Sequence, residues 1–230
     1  MNLQQLKKDY LKFFDDFKID KLTGILEDFP TQKFATMPHI GSNYDDAKYK
    51  ILFVGQDIGQ DETEECYQDF DERNQSVEKE SNFNPHIAGT YSSALYLLKD
   101  YYDWENIWIQ HNNYSTYSQA TKNILHKERE NPLSFVALTN LHKFVTVKRV
   151  HRAGYKDRKF LKREIEEEIL LCEIEALNPK LVLFQGKKPS GITIEKIKSK
   201  NIEVILARHP SYRTKNGRKP QIYLKTFEKL

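Results

Sequence analysis

Residues 50–65 read KILFVGQDIGQDETEE, and the first six of them decide the fold class. The apolar run Ile51-Leu52-Phe53-Val54 stops at Gly55 and gives way to a polar turn rich in glycine and carboxylates. A short unbroken apolar run closed by glycine reads as a strand buried on both faces, the kind found in parallel sheets. Three further runs have this form: LSFVALTN at 133–140, KLVLFQG at 180–186 and IEVILA at 202–207. Apolar residues at helical spacing mark 2–18, 91–102, 117–129 and 160–177. Alternating helices and strands predict an α/β fold, a three-layer α/β/α arrangement around a central four-stranded parallel sheet. A single domain over 1–230 is expected, with residues 1–45 as an N-terminal helical extension and PQIYLKTFEKL at 220–230 as a closing helix.

Composition excludes several classes of function. The chain is 39% hydrophobic and 30% charged, and no apolar run approaches the roughly 18 residues that a membrane span needs. The N-terminus MNLQQLKKDYLKFFDDF has helical periodicity without the apolar core of a signal peptide, so a cytoplasmic, intracellular location and no membrane partner are expected. Cys66 and Cys172 are too few for a disulfide framework, a cysteine zinc site or a cysteine-held cluster, and no metal or other cofactor is expected.

The net charge of +3 conceals two poles. From His142 to Arg163, bases including Lys143, Lys148, Arg149 and Arg152 face a single acid, Asp157, and from Arg208 to Lys219 five bases face none. Residues 61–80 are mostly acidic. Basic segments of this kind either neutralise phosphates or form a solvated face. The stretch from Gln56 to Thr90 is too long for an ordinary strand-to-helix connection, and such loops tend to carry function or remain disordered.

If the four runs are parallel strands, their carboxyl ends share one face, where α/β folds hold ligands. That face collects Gln56 and Asp57, then Asn140, then Gly186, then Arg208-His209-Pro210-Ser211. Each residue alone has an ordinary reading: Asp57 as a turn former or helix cap, Asn140 as a strand-end cap, His209 as a turn residue. Together they offer an acid, an amide and an imidazole to one crevice.

FVGQDIGQD at 53–61, ALTNLHKF at 137–144 and ARHPS at 207–211 resemble, in that order, the three signature turns of the uracil-DNA glycosylase superfamily. The resemblance runs from about Lys50 to Arg213 and includes NPKLVLFQG at 178–186. It implies a monomeric glycosylase on single- or double-stranded DNA, active in base excision repair. Asp57 then matches the acid that positions water and stabilises the cationic sugar, and His209 the histidine that hydrogen-bonds the departing base. Asn140 matches the amide that reads a flipped uracil, while Gly55 and Gln56 line the pocket. Ser211, and Ser92 or Ser93 at the start of the helix after the long loop, would meet phosphates. Phe83 is the candidate aromatic floor, and Tyr212 or Arg213 would fill the vacated stack. Lys148, Arg149 and Arg152 would extend the DNA contact.

The chemistry is consistent with those assignments. Breaking an N-glycosidic bond builds positive charge on the sugar and negative charge on the base, so a carboxylate is needed on one side and a donor on the other. A duplex also hides its bases, which must be flipped out to react.

The sequence departs from the family pattern at several points. Gly59 stands where GQDPY-type members carry a tyrosine against the thymine methyl, and Ile58 replaces the customary proline. Members with glycine there, of GEAPG type, carry a glutamate three residues on, the spacing of Glu62, yet hold an iron-sulfur cluster on four cysteines that this chain lacks. The chain is closest to an unclassified branch. Two other readings stay open: a non-catalytic nucleic-acid-binding protein retaining the fold, and a hydrolase of free nucleosides.

Overall fold

A computed structural model describes residues 1–56, 67–78, 85–113, 131–146, 163–210 and 219–230. The fold is mixed α/β, built on a mostly parallel six-stranded sheet. Chain order begins with α1 (Leu3–Asp16), β1 (Ile25–Leu26), β2 (Phe29–Phe34), β3 (His39–Ile40) and β4 (Ile51–Gly55). Then come α2 (Phe70–Glu78), α3 (Pro85–Leu98), α4 (Glu105–Asn112), β5 (Ala137–Asn140) and β6 (Phe144–Thr146). The chain closes with α5 (Arg163–Leu177), β7 (Leu181–Gln185), α6 (Gly191–Lys198), β8 (Glu203–Ala207), α7 (Pro220–Leu224) and β9 (Glu228–Lys229).

The sheet runs β3-β5-β4-β7-β8-β9. The four apolar runs pair in parallel, β4 with both β5 and β7, and β7 with β8. The expectation of four strands misses the antiparallel edges, β3 on β5 and β9 on β8. Alternate residues point to opposite faces. Leu52, Val54, Val182 and Phe184 pack with Leu6, Phe14, Leu170 and Ile174 from α1 and α5. Ile51, Phe53, Leu181 and Leu183 pack with Tyr91, Leu95 and Trp108 from α3 and α4. Helices thus cover both faces, which explains why these strands are apolar throughout.

The first 45 residues are not a helical extension. Only α1 is a helix, and its stripe Leu6, Tyr10, Phe13 and Phe14 is buried at the i, i+4, i+7, i+8 spacing of one face. The strands that follow enter the body of the protein: β3 extends the main sheet, while β2 pairs with β1 and β6 in a second, antiparallel sheet. The stretch at 133–140 is strand only from Ala137. Before it, Pro132–Phe135 forms a 3-10 turn that Asn131 caps by accepting the Leu133 N–H at 3.0 Å. The C-terminal segment is one short helix and then an edge strand. The helix expected at 117–129 lies outside the described residues. No described helix is long and apolar enough to cross a membrane.

Candidate active site

Along the chain the four parallel strands come as β4, β5, β7, β8, but across the sheet they lie β5-β4-β7-β8. The connections therefore leave β4 in one direction and return on its other side, which makes the β4/β7 boundary the switch point where α/β sheets open a crevice. Asn140 ends β5 and His209 lies just past β8, one on each flank of that boundary.

Both side chains lean inward by one strand. Asn140 lies in register with Gly55, and its Oδ1 would be only 2.6 Å from a Cβ built on that glycine. The ring of His209 covers Gly186, with Cδ2 3.3 Å from the corresponding position. Gly186 also has φ +111°, a conformation that L side chains rarely adopt. The amide and the imidazole thus stand above β4 and β7, neighbours whose axes are about 5 Å apart. The Asn140 side chain is 8% exposed.

The turns beneath are pinned. Leu141 N–H donates to Gly55 O at 2.8 Å and His142 N–H to Gln56 O at 2.9 Å, so the ends of β4 and β5 move as one piece. Under β7, buried Gln185 accepts from Thr90 Oγ1 at 2.9 Å and donates to Tyr223 OH at 3.2 Å, tying the strand to α3 and α7. Pro210 seats on α3 at Gly89, where a Cβ would come within 2.8 Å of it.

Ser92 and Ser93 are not phosphate ligands. Helix α3 starts at Pro85, which places both serines in its middle, fully buried. Their hydroxyls donate back to Ala88 O and Gly89 O, each at 2.9 Å. Ser92 Oγ is also 2.6 Å from His111 Nε2, and burial pushes the pKa of that imidazole down to about 3. This serine and histidine are a neutral pair in the core without access to a substrate.

The basic segment likewise divides. His142 and Lys143, its first two residues, are buried rather than displayed. Lys143 Nζ contacts Thr139 Oγ1 at 2.6 Å and both oxygens of Glu173, at 2.7 and 2.8 Å, and Tyr10 OH donates to the same carboxylate. Burial pulls the Lys143 pKa down, and the adjoining Glu173 carboxylate opposes that pull. Asp57, Gly59, Glu62, Phe83, Lys148, Arg149, Arg152, Ser211, Tyr212 and Arg213 lie outside the described residues.

Glu166, Glu173 and Lys187 escape the reading of the sequence, although one signal marks the two glutamates. In α5 they occupy the stripe with Ile169, Leu170, Ile174 and Leu177, where acids are out of place unless paired. A cleft of about 280 Å³ also opens between α1 and residues 67–71, and none of its lining residues is a candidate site residue. Among the described residues, no group of three or more His, Cys, Asp or Glu side chains is arranged to hold a metal ion.

Compared with protein-family models, curated proteins and solved structures, the chain matches none.

The contact at Gly55 yields a specific expectation. Gly55→Ala should change stability little, because the atom displaced is the end of a short side chain and the backbone has an ordinary φ. It should nevertheless turn the Asn140 amide away from the strand end. A melting curve close to the parent's, together with impaired recognition of a base by the variant, is the expected pair of results. Unimpaired recognition would remove Asn140 from the site.

Proposed function

We propose that this protein is a DNA glycosylase of the uracil-DNA glycosylase kind, with the three-layer fold of that superfamily. It removes uracil or a related deaminated base by hydrolysing the N-glycosidic bond. The observation that supports this most is the inward lean of Asn140 and His209 onto Gly55 and Gly186. It sets a polar amide and an imidazole above adjacent strands at the switch point, where both can face a ligand in the crevice. The resemblance of the three turns supplies the chemistry.

In this reading a nucleotide flipped from the stack enters at the β4/β7 boundary, at a cost of a few kcal/mol recovered in the pocket. Asn140 reads its hydrogen-bonding edge, with Gln56 alongside. Asp57, the next residue along the chain, orients the attacking water and stabilises the sugar cation. His209 donates to the base oxygen as negative charge collects there, where a preorganised donor is most effective.

The DNA partner is tested separately from the chemistry. Replacing Lys148, Arg149 and Arg152 together with alanine should weaken binding on every sequence alike. It should also flatten the slope of log affinity against log salt by about 0.7 to 0.9 per lost phosphate contact. A salt titration of the parent and the triple variant measures both effects. Unchanged slopes would mean that the segment is a solvated face, whose exposed ion pairs contribute about 0 to 1 kcal/mol each.

A further inference from the structure

A glutamate on the buried face of a helix is costly unless its oxygens find donors. Glu166 is 1% exposed, and both of its oxygens are turned to the strand-end face. One accepts the Lys143 N–H at 2.7 Å, and the other lies 2.8 Å from His142 Nδ1. The second ring nitrogen of His142, Nε2, is 2.8 Å from Lys187 Nζ. An ammonium group can only donate, so Nε2 accepts and the imidazole proton resides on Nδ1, where it donates to Glu166. The tautomer of this buried ring is therefore set from both sides.

The line Glu166, His142, Lys187 also spans the sheet. His142 belongs to the turn behind β5, Lys187 follows β7, and β4 lies between those strands. The His142–Lys187 contact thus passes over the end of β4, at the point where the His142 N–H is bonded to Gln56 O. At one end it holds the turn that begins with Asn140. At the other it holds the neighbour of Gly186, against which the His209 ring packs.

We propose that His142 is a positioning residue: fixed between Glu166 and Lys187, it locks the turn carrying Asn140 to the turn that supports His209 and so sets the width of the gap between amide and imidazole. The effect on base release rests on the glycosylase reading, whereas the lock itself does not. A base held between two groups must meet both at once, and a misplacement of about 1 Å can cost about 100-fold in rate.

Two measurements on the full chain test the lock. In the first, His142→Leu should slow single-turnover base release by about 100-fold while affinity for an uncleavable substrate analogue stays near the parent's. His142→Gln, whose one amide can donate to Glu166 and accept from Lys187, should recover most of that rate. Lys187→Met, a change at a half-buried side chain, should reproduce the loss even if His142→Leu does not fold. Parental rates in Lys187→Met, or a glutamine variant no better than the leucine one, would reduce His142 to packing. The second measurement needs no activity. Nitrogen NMR of histidine-labelled protein at neutral pH should show His142 as the pure Nδ1–H tautomer in the parent. A mixture in the parent would overturn the lock. A parent that shows the pure tautomer but releases no base would overturn the glycosylase reading alone.

Discussion

Asp57→Asn is expected to lower single-turnover base release by about 100-fold to 10,000-fold, the usual consequence of losing a positioned acid or base. DNA affinity and thermal stability should stay close to the parent's. The variant keeps the shape and hydrogen-bonding reach of the side chain and removes its negative charge, which is the property the proposed reaction uses. As the glycosidic bond stretches, the sugar becomes cationic, and the incoming water must lose a proton on the same side. The residue before Asp57 provides a firm base for this: Gln56 O is bonded to the His142 N–H at 2.9 Å, so the chain leaves β4 from a fixed point at the switch. Equal rates for variant and parent would make Asp57 a turn residue and remove the hydrolytic mechanism.

His209→Ala is expected to cost roughly 3 to 4 kcal/mol of transition-state stabilisation, the typical loss for one preorganised donor aimed at developing charge. That loss should appear in the chemical step, with far less change in affinity for a substrate analogue, because the charge exists only as the bond breaks. The ring is carried on the turn after β8, laid over Gly186 and followed by Pro210 seated on α3. Its removal leaves Pro210 and its seat in place. Single-turnover kinetics beside equilibrium binding separates the two effects. Equal losses in both would make His209 a binding residue.

The strands that build the candidate site were readable because each is a short, uninterrupted apolar run ending in a turn, and burial on both faces leaves no other pattern. The run at 180–186 appears as Leu181–Gln185 and that at 202–207 as Glu203–Ala207. The second sheet and the edges of the main one were not readable. β2 contains Pro30, which argues against a central strand, and its first three residues are exposed. β3 is only two residues long and takes its place by pairing with β5. The start of α3 misled for a different reason: Pro85 suits a first helical turn, but apolar periodicity becomes visible only from Tyr91. Ser92 and Ser93 therefore looked like helix-start residues when they sit in mid-helix.

Among the candidate site residues, the places of Asn140, Gln56 and His209 at strand ends were legible as polar breaks after apolar runs. Their inward lean was not, since it depends on glycines at 55 and 186 in neighbouring strands. Lys143 read as surface charge because a basic run carries no mark of which member turns inward. The carboxylates that receive it and its neighbour, Glu173 and Glu166, come from a helix more than twenty residues later.

The most direct measurement is base release itself. The full chain is incubated with single- and double-stranded oligonucleotides carrying one uracil, one hypoxanthine or one mismatched thymine, and abasic sites are revealed by alkaline strand cleavage. The account predicts cleavage at the modified base for at least one of these substrates, without added metal and with loss of the product in Asp57→Asn. Intact strands with all three bases, from protein that binds the same oligonucleotides, would contradict it.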